Sequence, residues 1–159
     1  MNMALRNITN YEKDGVLRKK SKYVEKIDKK VLQLIEDMAE TMYNGDGVGL
    51  AAPQVGILKR IIVIDIGDGL IKLINPQIIE KEGEQRDTEG CLSIPELIGE
   101  VIRPYKVIVR GINEHGENVE MKAEGFLARA FCHEIDHLDG ISFIDKAVSG
   151  TIKNITIQR

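Results

Sequence analysis

Two histidines and a glutamate define the chemistry open to this chain. His133 and His137 stand at i and i+4 in Cys132-His133-Glu134-Ile135-Asp136-His137-Leu138-Asp139-Gly140. At about 3.6 residues per turn, a helix sends both imidazoles from the same face, one turn apart. That spacing lets two nitrogens reach one metal ion. Glu134 follows the first histidine directly, close to such an ion yet free to stay out of its coordination. It could then act as the base for an activated water. The competing reading is two histidines on the polar face of a surface helix. Phe126, Leu127, Ala130, Phe131 and Leu138 weigh against it, because they make the segment largely apolar. Histidines on such a helix need partners, and one metal serves both.

A zinc-type catalytic site takes three protein ligands and leaves a fourth position for water. In the longer pattern H-E-x-x-H-x-x-G-x-x-H, Gly140 fits but the last ligand position is Phe143. No glutamate follows Glu134, so a downstream glutamate cannot complete the site. Asp139, two residues past His137, points to another side of the helix. The third ligand must come from upstream. Cys132 adjoins His133 at an angle that turns it from the imidazole face. His115 lies in Asn113-Glu114-His115-Gly116, which reads as an exposed hairpin turn. Cys91, in Thr88-Glu89-Gly90-Cys91-Leu92-Ser93-Ile94-Pro95, is the better candidate, with Gly90 and Pro95 marking irregular backbone. The ligand set is therefore expected to be Cys91, His133 and His137. Against it stands the usual role of a free cysteine, that of a small buried hydrophobe.

Three separated motifs give the chain a family likeness. Gly47-Val48-Gly49-Leu50-Ala51-Ala52-Pro53-Gln54, Glu89-Gly90-Cys91-Leu92-Ser93 and His133-Glu134-Ile135-Asp136-His137 together resemble peptide deformylases in order and spacing, over almost the whole chain. The resemblance implies hydrolysis of the N-formyl group from the initiator methionine of new polypeptides, with release of formate. It implies that Gln54 donates its side-chain amide to the developing oxyanion together with the backbone N–H of Leu92. It implies a peptide extended along Val48, Gly49 and Gly90, adding a strand by main-chain bonds. Its methionine would enter an apolar pocket of Val48, Phe126, Ala130 and His133, with the stem of Arg129 at the edge. The family works characteristically with ferrous iron; one thiolate and two imidazoles also suit zinc, nickel or cobalt. Its members act in the cytoplasm on N-formylmethionyl nascent peptides, with transient ribosome contact and without membrane or specific nucleic-acid binding.

The elements that must position these residues can be read more coarsely. At 159 residues the chain suits one domain, here 1–159, with its own core. Hydrophobic content of 43% and charged content of 30% fit a globular protein, and a net charge of -3 argues against a general nucleic-acid binder. Two cysteines make no disulfide framework, which fits a reducing compartment. No signal peptide or membrane-spanning run is visible. A first helix follows Asp28 as N-cap, with Val31, Leu34, Ile35, Met38 and Met42 as its apolar stripe and Gly45 as its stop. Arg60–Ile66 and Leu70–Ile74 read as strands joined at Gly67-Asp68-Gly69. Asn75-Pro76 breaks the run, which resumes at 77–81. Residues 100–102, 105–110 and 119–122 look extended. Small antiparallel sheets packed around a C-terminal helix that carries the histidines, with one N-terminal helix, make an α+β fold.

Some features fall outside the likeness. The glycine-rich loop at 45–49 lacks the Lys-Ser/Thr pair of a phosphate loop, so its glycines more naturally admit close backbone approach. Arg18–Lys30 is rich in lysine and arginine; it could touch an acidic partner such as ribosomal RNA, although a solvated loop and helix start is the commoner meaning. Cys132 replaces the glutamine that the family usually places before the first histidine. Thr151–Arg159 is short, and Ile152, Ile155 and Ile157 suggest a strand or loose end in place of a ribosome-docking helix. Glu89 and Arg103 are candidates for a salt bridge bracing the Cys91 loop. An endopeptidase and a non-catalytic metal binder are the competing functions. The first lacks a downstream ligand, and intact Gln54 and Glu134 weigh against the second.

Overall fold

In the computed structural model, which describes residues 4–156, helix α1 (Lys29–Asn44) begins where the sequence says it must. The Asp28 carboxylate accepts the Val31 N–H at 2.9 Å, which satisfies one of the donors left open in a first turn. Gly45 ends the helix, and Val31, Leu34, Ile35, Met38 and Met42 are all buried.

The chain then forms β1 (Gly49–Ala51), a 3-10 turn over Ala52–Val55, β2 (Ile61–Ile64) and β3 (Ile71–Glu82). Next come β4 (Gln85–Cys91), β5 (Ile94–Arg103), β6 (Lys106–Ile112) and β7 (Asn118–Glu124). Helix α2 (Gly125–Leu138), the short α3 (Phe143–Lys146) and β8 (Lys153–Asn154) complete the described chain. One antiparallel sheet has the order β1-β2-β3-β6-β7 and a second has the order β4-β5-β8. This is the expected α+β arrangement.

The larger sheet is covered on both faces. Ile61 and Val63 join α1 in one core, whereas Ile62 and Ile64 join Phe131, Ile135 and Leu138 of α2 in the other. Strand β2 therefore has no polar face, and its sequence Ile-Ile-Val-Ile shows no alternation. Burying each of these side chains contributes roughly 1.5–3 kcal/mol, so a charge at any of the four would strip α1 or α2 from the sheet. A third cluster of Tyr11, Leu17, Ile94, Val101 and Phe143 holds the smaller sheet.

Three sequence expectations change. Asn75-Pro76 does not end its strand; β3 runs through it with a register shift between Ile74 and Gln77. Asn75 takes a left-handed φ of 53° there, and its side chain bonds both the N–H and the carbonyl of Val24 at 2.9 Å. Pro95 is not in irregular backbone but at the second position of β5, where its missing N–H is tolerated. Strand β4 went unread because Gln85-Arg86-Asp87-Thr88 is polar and points mostly to solvent. At the C-terminal end, β8 pairs with Leu97 and Ile98, as a strand-like tail should; Ile157 lies outside the described residues.

Candidate active site

Helix α2 is the floor of the site. Ten of its residues are buried, including Arg129, His133, Glu134 and His137, because it is packed between the sheets and not laid on a surface. Gly140, with φ of 76°, lets the chain leave closely under Arg18, whose carbonyl oxygen would stand 2.6 Å from any Cβ there.

Cys91, His133 and His137 come together from β4 and α2, with one donor atom from each within 4.8 Å of the others. Cys91 Sγ lies 3.3 Å from His137 Nε2. Tetrahedral ligation with Zn–S near 2.3 Å and Zn–N near 2.0 Å places such donors about 3.5 Å apart, so the trio is spaced to hold one ion. The alternatives fall away: His115 is on the β6–β7 turn with an exposed side chain, and Asp139 pairs with Arg60 at 3.0 Å.

Of the three ligand candidates, His133 is oriented from behind by a carboxylate, whereas among the described residues the buried His137 Nδ1 has no hydrogen-bond partner. His133 Nδ1 stands 2.8 Å from Glu89 Oε1, which leaves its Nε2 for the cluster. Glu89 also takes Arg103 in a two-point pair, with both N–O distances 2.9 Å, and Arg129 at 2.5 Å. Arg103 continues to Asp136 at 2.6 Å, and Asp136 to Lys146. The expected Glu89–Arg103 pair is thus present and extended. Burial raises the Glu89 carboxyl, but Arg103 and His133 outweigh it and hold the group well below its usual range. Burial pulls His133 down, yet the charges and bonds of Glu134, Cys91 and Glu89 carry it well above an ordinary imidazole. Burial, then the His133 charge, drives His137 well below.

Glu134 is the group with chemistry to spare. It is buried, and among the described residues its Oε1 has no hydrogen-bond partner. Burial pushes its carboxyl up to about 7, in the range where a side chain can both take and return a proton. An unpaired buried oxygen is costly, which suits a site whose remaining partner is a bound species.

Gln54 is held at both ends of its amide. Its Oε1 accepts the Ala51 N–H at 3.0 Å, and its Nε2 donates to Cys91 Sγ and Ser93 Oγ, each at 3.3 Å. Leu92 packs its side chain onto the glycine loop; a Cβ on Gly47 would stand 2.8 Å from Leu92 Cδ1. These residues face a cavity of about 430 Å³ whose rim includes Val48, Gly49 and Gly90 and whose apolar wall includes Phe126 and Ala130. Arg129 also lines it, but not by reaching outward. Its guanidinium turns inward to Glu89 and to the Val101 carbonyl, because the buried carboxylate outcompetes solvent for it. Cys132 lies in the core between α2 and the five-stranded sheet, where burial raises its thiol. Sequence reading missed the Arg129, Asp136 and Ser93 contacts; an acidic residue facing inward from a polar strand was the available signal.

Comparison with known proteins gives the chain's relatives. The family described as polypeptide deformylase matches residues 5–152. The peptide deformylase of Caldicellulosiruptor bescii is 59% identical over 146 residues, covering 92% of this chain and 87% of that one. Peptide deformylase 1 of Clostridium acetobutylicum is 61% identical over 144 residues, covering 91% and 95%. The crystal structure of peptide deformylase from Thermotoga maritima superposes with a TM-score of 0.88 at 46% identity, covering 91% of this chain and 99% of that one.

Proposed function

The chain belongs to the polypeptide deformylase family, and we propose that Cys91, His133 and His137 hold its metal ion while Glu134 moves the proton. The activity is a metal-dependent hydrolysis that removes the N-formyl group from newly made polypeptides. The observation that carries the assignment is the buried Glu134 carboxyl, whose Oε1 has no partner among the described residues, beside three donors with the spacing of a single ion. A bound divalent ion supplies Lewis-acid chemistry, making water a nucleophile near neutral pH and polarising the formyl carbonyl.

The protein supplies the rest. Glu134 accepts a proton from the attacking water and returns it to the amine of methionine as the C–N bond breaks, so the formyl carbon leaves as formate. Gln54, its Oε1 anchored on the Ala51 N–H, gives up one of its Nε2 bonds to Cys91 and Ser93 and turns that N–H to the formyl oxygen, together with the Leu92 N–H, as negative charge develops. The peptide backbone extends along Val48, Gly49 and Gly90, and the methionine side chain enters between Phe126 and Ala130 beside the stem of Arg129. Main-chain recognition makes the sequence beyond methionine secondary.

Iron(II) is the working ion in this reading, with zinc, nickel or cobalt able to replace it on the same donors. Residues 1–159 act as one catalytic domain in the cytoplasm, in transient contact with the ribosome; no described helix is long and apolar enough to cross a membrane. Metal content tests the ligands: wild type should carry about one ion per chain and Cys91→Ala almost none. Undiminished occupancy in Cys91→Ala would remove it from the set.

A further inference from the structure

The segment that runs into the first turn of α1 has a charge the rest of the protein does not share. Residues 18–30 hold seven basic residues and two acidic ones, a net +5 in a chain whose total is -3. All seven basic residues are exposed. Among the described residues none forms a salt bridge, whereas Arg6, Arg60, Lys72, Arg86, Arg103, Lys106, Arg110, Arg129 and Lys146 all do. Arg18 is occupied by the Tyr11 ring, 4.4 Å away, which leaves six lysines. Lys29 and Lys30 open α1, where the helix dipole disfavours positive charge and no acid of the first turn offsets them.

The strap is tied to the body of the protein at Lys22. Lys22 N–H donates to the Leu58 carbonyl and the Arg60 N–H donates to the Lys22 carbonyl, both at 3.0 Å, which sets Lys22 beside Lys59. Val24 turns into the core, while Tyr23 between the lysines is 66% exposed. We propose that this strap is a docking surface for single-stranded or looped RNA, with Lys19, Lys20, Lys22 and Lys26 on phosphates and Tyr23 stacked on a base. A row of ammonium groups with an exposed aromatic is the pattern that tracks an unpaired strand. A membrane surface would ask for bulky apolar groups facing out, and here Val24 and Ile27 face inward or only partly out.

The position leaves catalysis free. The Ser21 N–H donates to the Leu138 carbonyl, at the far end of α2 from Phe126. No residue of 18–30 lines the cavity, so RNA on the strap leaves it open. The setting rests on the function above, since newly made polypeptides leave an RNA-rich machine, but binding is measured without turnover.

The test is fluorescence anisotropy of a labelled single-stranded RNA of about 16 nucleotides, titrated with intact protein between about 50 and 200 mM salt. Wild type should bind with a steep salt dependence. The combined variant Lys19→Gln, Lys20→Gln, Lys22→Gln, Lys26→Gln should flatten the slope of log K against log salt by about 2.8, at about 0.7 per phosphate contact. Tyr23→Ala should weaken binding about tenfold. Formate release from a short formyl-methionyl peptide should be unchanged in both variants, which also shows that they fold. No binding by wild type at the lowest salt, or a slope unaltered in the lysine variant, overturns the proposal. So does equal competition by phosphatidylglycerol vesicles or by polyglutamate, which would assign the strap to a lipid surface or an acidic protein. Loss of formate release in wild type alone would sink the catalytic reading and leave the RNA result standing.

Discussion

Gly49 and Glu134 are in direct contact: a Cβ on Gly49 would stand 2.5 Å from Glu134 Oε2 and 2.9 Å from its Cδ. The strand that borders the cavity thus presses bare backbone against the carboxyl that moves the proton. Gly49→Ala should displace that carboxyl while leaving Cys91, His133 and His137 in place. Turnover should fall by about 10²-fold, the effect of a misplacement near 1 Å, with metal content unchanged. Retained turnover would show that Glu134 has room to spare.

Glu89 orients His133 and neutralises Arg103 and Arg129, all in buried surroundings. Glu89→Gln removes the charge and leaves two buried guanidiniums without it. Stability should drop by about 3–5 kcal/mol in denaturant titration, the usual result of breaking a buried pair from one side. Metal affinity, measured by chelator competition, should weaken about 10–100-fold because the His133 ring loses its fixed orientation. A stability loss without an affinity loss would mean that the ring is held by packing alone, for example by the stacked Phe143.

Gln54→Leu keeps bulk but removes the amide. The expected loss is about 10²–10³ in kcat with little change in KM, since the bond strengthens only as charge develops on oxygen. A change confined to KM would reassign Gln54 to ground-state binding.

Asp37 ties the N-terminal arm to α1. It accepts the Ala4 N–H at 2.9 Å, Arg6 Nε at 2.9 Å and Gln33 Nε2 at 2.7 Å. Burial raises its carboxyl, but the Gln33, Ala4 and Arg6 bonds outweigh this and lower it below 3.8. A depressed carboxyl contributes stability that is present above the unfolded value and is lost as pH falls through the folded one. Asp37→Asn should therefore cost about 1.5–3 kcal/mol near neutrality, and the difference from wild type should shrink below about pH 4. A gap that stays constant into acid would show that charge is not the link.

Much of this was legible in the sequence because local chemistry and global packing agreed. Asp28 and Gly45 bracket α1 by capping alone, and the spacing of His133 and His137 requires the helix that α2 provides. Strand β4 was not legible, because its stability comes from pairing across Gln85–Arg103 to Glu89–Gly99 and not from its own polar side chains. The inward pairing of the Arg129 guanidinium was not legible, since nothing nearby in sequence announces Glu89, forty positions earlier. The run through Asn75-Pro76 depends on a bulge that Val24 supports from a distant segment.

The central claim is that this site removes a formyl group by means of one ion on Cys91, His133 and His137 with Glu134 as the base. The most direct measurement is formate release from a formyl-methionyl peptide by wild type and Glu134→Ala, both prepared without oxygen, with metal content determined on the same samples. Wild type should release formate with about one ion per chain, and Glu134→Ala should keep the ion and lose turnover. Formate release by metallated Glu134→Ala at the wild-type rate, or none from fully metallated wild type, would contradict it.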